Sequence, residues 1–403
     1  MSEHQVVLTA VGLRSAFLGG VEGLIRGLRT GQSGLHRPTS IDGEAFGIAL
    51  AGEVRDPVNP RPGLEGDRKA WLLLEAFEEL RSTTKLPLVG GCWLGTGLSS
   101  VIPEELEEDV VPFIAGDAID RAALYRSVSS QRLAPRRHLP EQALNALADT
   151  AGVVGQRYTS FSACAAGAQA IAEAFRAIRR GEVECALCGG QDAMIHPLGV
   201  LSFSLLGALS GDRCRPFDKR RDGFSIGEGA ALLLLESESA ARARGATPIA
   251  RLLGAGSSVD AYRPTAPHSE GRGAVLSMRR ALKDAGLDPA AIDHVNAHGT
   301  GTPVGDAAEA RAIAEVFGPG QSVSSIKGAV GHTIAAAGAV EAIACAVALQ
   351  GGFVPGTSGC EQVEDWPVQV ELTPRFCSPR FMVSNSMGFG GQNCSLVWGR
   401  IEG

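Results

Sequence analysis

Two stretches of small residues, Ala165–Arg180 (AAGAQAIAEAFRAIRR) and Thr333–Gln350, constrain this fold most. Both have helical periodicity, and neither has a polar face of normal width. Such helices must be enclosed on most sides by other elements. Short apolar or β-branched runs that read as strands surround them. Around the first are Gln5–Val11, Val89–Leu94, Tyr158–Ala163, Cys185–Gly190 and Glu228–Glu236. Around the second are Ile249–Ser257, Asp293–Ala297, Ser322–Ile326, Val368–Leu372, Phe381–Ser384 and Cys394–Trp398. Helical patterns cover Val21–Thr30, Ala70–Arg81, Gly273–Ala285 and Asp306–Val316. Strands alternating with helices predict an α/β fold with mostly parallel, buried sheets. The pattern restarts near residues 240–250, which predicts a duplicated architecture with halves 1–245 and 246–403. No low-complexity linker divides them, so one packed body is expected. Residues 36–68 are rich in Pro, Gly and charge and read as a surface excursion; 101–137 are weakly periodic and carry no assignment.

Composition removes several function classes. The 37 basic and 44 acidic residues leave a net charge of −7, which argues against nucleic-acid or anionic-membrane binding by bulk charge. The N-terminal apolar run is broken by Arg14 and lacks a basic leader, so no secretion signal is read. The most apolar window, Gly328–Leu349, carries His332 and Glu341 and reads as a buried helix rather than a membrane span. Nine cysteines, an odd count with no framework spacing, fit a reduced, cytoplasmic chain. The single CxxC, Cys185–Cys188, has no second ligand pair and reads as part of a buried strand.

Four segments can carry chemistry. Cys164 falls between a strand-like run and the first small-residue helix. Free N–H groups at that helix start would face its sulfur, and the helix dipole favours a thiolate. Small neighbours at Ala163, Ala165, Ala166 and Gly167 leave room for a substrate. In Val295–Pro303 (VNAHGTGTP), His298 sits on a tight loop with Thr300 and Thr302, as an acid/base group or as a capped loop histidine. In Ser324–Ala337, Lys327 and His332 stand five residues apart among glycines, with the lysine able to place a positive charge near the histidine. That stretch lacks Gly-Lys-Ser/Thr, so a phosphate loop is rejected. In Val383–Asn393 (VSNSMGFGGQN), glycines around Phe389 leave backbone N–H groups that could hold an oxyanion.

One cysteine, two histidines and one lysine, in this order and with these flanks, resemble a β-ketoacyl synthase of the thiolase fold. The resemblance runs from about Leu139 to the C-terminus and includes PLGVLSF (197–203) and CRPFDKRRDGFSIGEGAALLLLE (214–236). VVLTAVG and the GQSG turn at 31–34 also fit, whereas 36–137 match poorly and look shortened. The resemblance implies a five-layered α/β/α/β/α body. It implies Cys164 as the nucleophile taking an acyl group from a carrier thioester. His298 and His332 would hydrogen-bond the malonyl thioester oxygen. Lys327 would support His332, with Glu341 as the lysine's ion-pair partner. The N–H groups of Cys164 and Phe389 would form the oxyanion hole. Phe389 would gate an acyl pocket lined by Phe203. Thr265, Thr300 and Thr302 would contact the pantetheine arm, while Asp306 and Glu309 would be structural. No metal or tightly bound cofactor is implied. The implied partners are acyl carrier protein and a second subunit, identical or chain-length-factor-like.

Departures are Ala166 for a common Ser, Gln191 for a common Glu, Gln392 for a small hydroxyl residue, and Gly207 where some relatives carry a carrier-binding arginine. Arg68–Lys69 is the candidate contact for an acidic carrier helix, against the alternative of a solvated charge pair. The shortened 36–137 region tilts the expectation from housekeeping fatty acid elongation toward a specialised polyketide or polyene pathway. The competing readings are a non-catalytic chain-length factor, disfavoured because Cys164 is kept, and a thiolase, disfavoured because Cys394 is followed by Ser-Leu.

Overall fold

A computed structural model of the chain describes residues 4–97, 107, 110–127 and 139–402. Part of the shortened region, 98–106, 108–109 and 128–137, and residue 138 lie outside the described residues. Eleven strands form the main sheet: β1 Val6–Arg14, β2 Gly91–Thr96, β3 Gln156–Ser160, β4 Cys185–Ala193, β5 Glu228–Ser237, β6 Ala250–Val259, β7 His294–Asn296, β8 Ser322–Ser324, β9 Gln369–Val370, β10 Phe381–Gly388 and β11 Gln392–Gly399. Their spatial order is β9-β8-β7-β10-β11-β6-β1-β5-β4-β2-β3. Counted within each half, both halves have strand order 3-2-4-5-1, with β9 added at one edge. They join where β1 pairs with β6, from Val6 opposite Leu252 to Leu8 opposite Ala250.

The expectation of mostly parallel sheets is corrected. β2 runs parallel to β3 and β4, and β7 to β8 and β10. The inner strands β1, β5, β6 and β11 pair antiparallel to their neighbours. A strand covered on both faces has the same apolar pattern in either direction, so its pattern does not report direction.

Eight helices matter for the layers: α1 Gly20–Thr30, α2 Arg68–Thr83, α3 Glu141–Ala151, α4 Ala166–Arg179, α5 Pro197–Leu205, α6 Arg272–Ala285, α7 Pro303–Phe317 and α8 Ala337–Gly351. The small-residue helices α4 and α8 pack on each other and on strands of both halves. Helix α2, backed by α3, covers the outside of the first half-sheet. Helix α6, backed by α7, covers the second. The result is five layers, with separate apolar cores on the two outer sides and one around α4 and α8. The segment Ile334–Gly351 is apolar enough to cross a membrane, but 89% of it is buried inside the fold, as a core helix would be.

Small residues at the centre set the distance between α4 and α8. A Cβ on Gly338 would lie 2.7 Å from the Ala168 Cβ and 2.8 Å from the Ala168 nitrogen. Helix propensity alone would make Gly338→Ala stabilising by about 1 kcal/mol. The close crossing predicts the opposite sign, a loss of about 1–3 kcal/mol. Urea unfolding reads that sign directly, and a stabilised variant would refute the packing argument.

Two further local differences bear on the site. The 36–68 segment is a surface excursion that is tied down at its middle. Glu53 is buried and accepts hydrogen bonds from the Thr39 N–H and hydroxyl and the Ser40 N–H, at 2.8–2.9 Å. Gly52 N–H donates to the Ile226 carbonyl at 2.8 Å, so the segment clamps residues 225–228. The motif PLGVLSF forms α5, which the sequence left without an assignment because it is apolar all round and shows no period.

Candidate active site

Both central helices begin in the same way. Ala163 at φ +47° leads through a 3-10 turn, Ala163–Ala165, into α4. Ile334 at φ +48° leads through a second such turn, Ile334–Ala336, into α8. Positive φ is uncommon for alanine and a clear outlier for a β-branched residue. The two turns touch. Their contact brings Cys164 from the first half to His332 from the second, with His332 Nε2 3.1 Å from Cys164 Sγ. Neighbouring backbone fixes His332: its N–H donates to the Ser225 carbonyl at 2.8 Å, and its carbonyl accepts from Gly227 at 2.9 Å.

His298 follows β7, and its ring meets that of His332 edge-on, with centroids 5.3 Å apart. Its loop hangs from two buried carboxylates on α7. Glu309 accepts the His298 and Gly299 N–H groups, both at 2.8 Å. Asp306 accepts those of Phe217 at 2.7 Å and Gly301 at 3.0 Å. Lys327 is buried, and its ammonium has three acceptors: His298 Nδ1 at 3.3 Å, the His298 carbonyl at 2.5 Å and a Glu341 carboxylate oxygen. The lysine was expected beside His332; its hydrogen bonds go to His298 instead. An ammonium has donors only, so His298 Nδ1 accepts and the ring proton sits on Nε2. Spacing in the sequence did not reveal this, because Lys327 reaches back across the sheet to the β7 loop.

A cavity of about 280 Å³ runs from Cys164, His298 and His332 toward the surface. Thr265, Thr300 and Thr302 line it, with Phe389 and Gly207, and the Thr300 and Thr302 hydroxyls are 3.0 Å apart. Phe389 lies over Cys164, and its backbone N–H hydrogen-bonds the sulfur. Phe203 packs behind Phe389 with ring centroids 6.4 Å apart, off the cavity wall. Phe224 meets His332 edge-on at 4.9 Å and fixes its ring plane. The sequence reading passed over Phe224; its only signal was its place in the 214–236 motif.

Burial decides the electrostatics. It pushes the Cys164 thiol up to about 12, against the Lys327 charge and the Phe389 N–H. The expectation of a thiolate rested on the helix dipole, whereas burial favours the neutral thiol. Burial, aided by the Lys327 charge, also holds both histidines well below the ordinary imidazole range, so both rings are neutral. Alkylation of Cys164 by iodoacetamide is accordingly expected to rise steadily from about pH 7 to about pH 10, with no plateau near neutrality. A plateau below about pH 7 would show a resting thiolate and overturn this.

Cys164, His298 and His332 also place three ligand-type atoms within 4.8 Å of one another. The ammonium 3.3 Å from His298 opposes a cation there. The Arg68–Lys69 pair does not form an exposed basic contact. Arg68 makes a two-point ion pair with buried Glu228, and Lys69 is buried beside Thr96. The CxxC cysteines lie buried and unpaired in β4.

Known proteins are similar to this chain over its whole length. The family model for the N-terminal domain of β-ketoacyl synthases matches residues 99–241, and that for the C-terminal domain matches 249–361. A 3-oxoacyl-[acyl-carrier-protein] synthase 2 of Staphylococcus aureus is 32% identical, with both chains covered in full. The solved ishigamide ketosynthase/chain length factor superposes with a TM-score of 0.86 at 33% identity, over 99% of this chain and 100% of that one. A type II PKS ketosynthase in complex with its acyl-carrier protein gives 0.85 at 25% identity, over 99% and 100%. With both domain models matched in order and a relative aligned end to end, the chain belongs to the β-ketoacyl synthase family.

Proposed function

We propose that this chain is a β-ketoacyl-[acyl carrier protein] synthase that condenses a Cys164-bound acyl chain with malonyl carrier protein and releases carbon dioxide. The observation that carries the reading is the buried meeting of Cys164 Sγ and His332 Nε2 at 3.1 Å, with neutral His298 facing the same cavity. In the first half-reaction the Cys164 sulfur attacks the acyl thioester carbon. The carbon–sulfur bond to the carrier breaks, and the thiol proton leaves with the carrier thiol. In the second, the bond between the malonyl carboxylate and its α-carbon breaks. Its electron pair forms an enolate, and imidazole N–H groups of His298 and His332 hold the oxygen. The α-carbon then attacks the acyl-Cys164 carbonyl, whose oxyanion faces the N–H groups of Cys164 and Phe389. Collapse expels the Cys164 thiolate, which takes up a proton. A neutral donor suits an enolate better than a carboxylate, which would repel it, and no strong base is required.

Lys327, paired with Glu341, keeps the His298 proton on the nitrogen that faces the cavity. Thr265, Thr300 and Thr302 contact the pantetheine arm, Phe389 gates the acyl pocket, and Phe203 backs the gate. The halves 1–245 and 246–403 act as two domains, the first carrying the nucleophile and the second both histidines. The partners are acyl carrier protein and a second subunit, identical or chain-length-factor-like. The setting is type II fatty acid or polyketide synthesis in the cytoplasm. The intact Cys164 cluster supports a catalytic subunit over a chain-length-factor role.

Intact-protein mass spectrometry tests this. Acyl carrier thioesters of graded length are expected to add an acyl mass to the chain, and malonyl carrier to remove it as β-ketoacyl carrier appears. No adduct at any length, with or without a second subunit, would refute the reading.

A further inference from the structure

Behind the two catalytic turns lies a buried polar cluster that the reaction scheme leaves unused. Asp192, near the end of β4, is 2% exposed, and Lys69, in the first turn of α2, is 4% exposed. Asp192 Oδ2 accepts the Ala335 N–H at 3.2 Å, and its Oδ1 accepts the Ala193 N–H at 3.0 Å. Lys69 Nζ lies 3.4 Å from Thr96 Oγ1, which also takes the Gln191 amide at 2.9 Å. The Lys69 charge acts on the Asp192 carboxyl and offsets part of the penalty of burying it. Gly190, next to the cluster, approaches the same turn so closely that a Cβ would lie 2.7 Å from the Ala335 carbonyl oxygen.

Ala335 lies in the turn that follows His332. That turn starts with Ile334 at φ +48°, a conformation that costs on the order of 1–3 kcal/mol and persists only where surrounding contacts impose it. On one side, Ser225 and Gly227 hold the His332 backbone. On the other, the Asp192 carboxylate is the side-chain acceptor that fixes the strained turn. We propose that Asp192, with Lys69 as its counter-charge, is a positioning residue that holds the Ile334–Ala336 turn and thereby sets the separation between His332 Nε2 and Cys164 Sγ. This rests on the condensing reading. An asparagine could not serve equally: turning its oxygen to Ala335 would leave an amide NH2 to share the pocket with the Lys69 ammonium.

The test compares Asp192→Asn, Lys69→Met and the double variant Asp192→Leu/Lys69→Met with the parent chain in full-length protein. In Asp192→Asn the condensation kcat is expected to fall about tenfold or more, with KM for malonyl carrier within about twofold. The double variant removes both buried charges. It is expected to regain thermal stability relative to either single variant while kcat stays low, because leucine offers the Ala335 N–H no acceptor. If kcat returns together with stability, the pair is merely structural and the proposal fails. It also fails if Asp192→Asn folds and keeps kcat. Should Asp192→Asn not fold, the double variant alone decides. Iodoacetamide alkylation of Cys164 needs no substrate and separates this inference from the functional one. Its rate is expected to change by about threefold or more in Asp192→Asn, as thiol reactivity follows the placement of the neighbouring imidazole. A parent chain inactive with or without a second subunit would sink the condensing reading, whereas an unchanged alkylation rate would sink the positioning role.

Discussion

Cys164→Ala is expected to abolish acyl loading and to lower the condensation rate by at least about 10³-fold, while leaving the fold intact. The side chain is buried beside His332, and alanine removes one small group without exposing a charge. The measurement pairs the mass of the protein after incubation with acyl carrier with the thermal midpoint. A variant that still loads would place the nucleophile elsewhere. Replacing the histidines should divide the two half-reactions. His332→Ala removes the nitrogen 3.1 Å from the sulfur and is expected to slow both loading and condensation. His298→Ala is expected to leave loading nearly unchanged and slow only condensation, because His298 faces the cavity and its ring meets His332. Equal losses in both steps for both variants would contradict this division.

Lys327→Met is expected to cost about 3–5 kcal/mol of stability, the range for breaking a buried ion pair from one side. Lys327 and Glu341 are both about 1% exposed and hydrogen-bond each other. Burial already pushes the Glu341 carboxyl up to about 7 against the attraction of the lysine. Without that attraction the carboxyl stays protonated in the folded chain and ionises on unfolding. The folded state then binds the extra proton, so stability falls as pH rises between about 5 and about 8. Denaturant unfolding of the variant at both ends of that range reads the slope, and a flat or rising profile would refute the assignment. In Lys327→Met/Glu341→Leu the unpartnered buried carboxyl is gone, and much of the stability is expected to return. Activity is not, because the ammonium that fixes the His298 tautomer is absent from both variants.

Much of this protein could be read in its residues. Ala165–Arg180 and Thr333–Gln350 lack a wide polar face, and that demanded enclosure on most sides by other elements. The same periodicities located most strands and helices to within a few residues, since burial writes apolar spacing directly into a chain. Cys164, His298, Lys327 and His332 stood out because reactive side chains occur there among small residues and glycines.

Other features have no local signature. Strand direction escaped the sequence because a strand covered on both faces has no polarity in its pattern. The pairing of Lys327 with Glu341 agrees with the resemblance, but its bond to His298 escaped the sequence because a four-carbon side chain reaches whatever the fold places nearby, here the β7 loop. The charge state of Cys164 escaped it for a related reason. A helix end is visible in the residues, but the depth at which that end is buried belongs to the five-layered packing. Lys69 makes the same point. Its neighbours in sequence suggested a solvated contact for a carrier, whereas the fold turns it inward to face Asp192. Sequence determined which elements form and which side chains can react, because propensity and burial act on residues close in the chain. Only the tertiary structure decided which of those side chains meet, and in which protonation state. Both depend on contacts between residues distant in the chain, as where Cys164 and His332 meet from positions 168 residues apart.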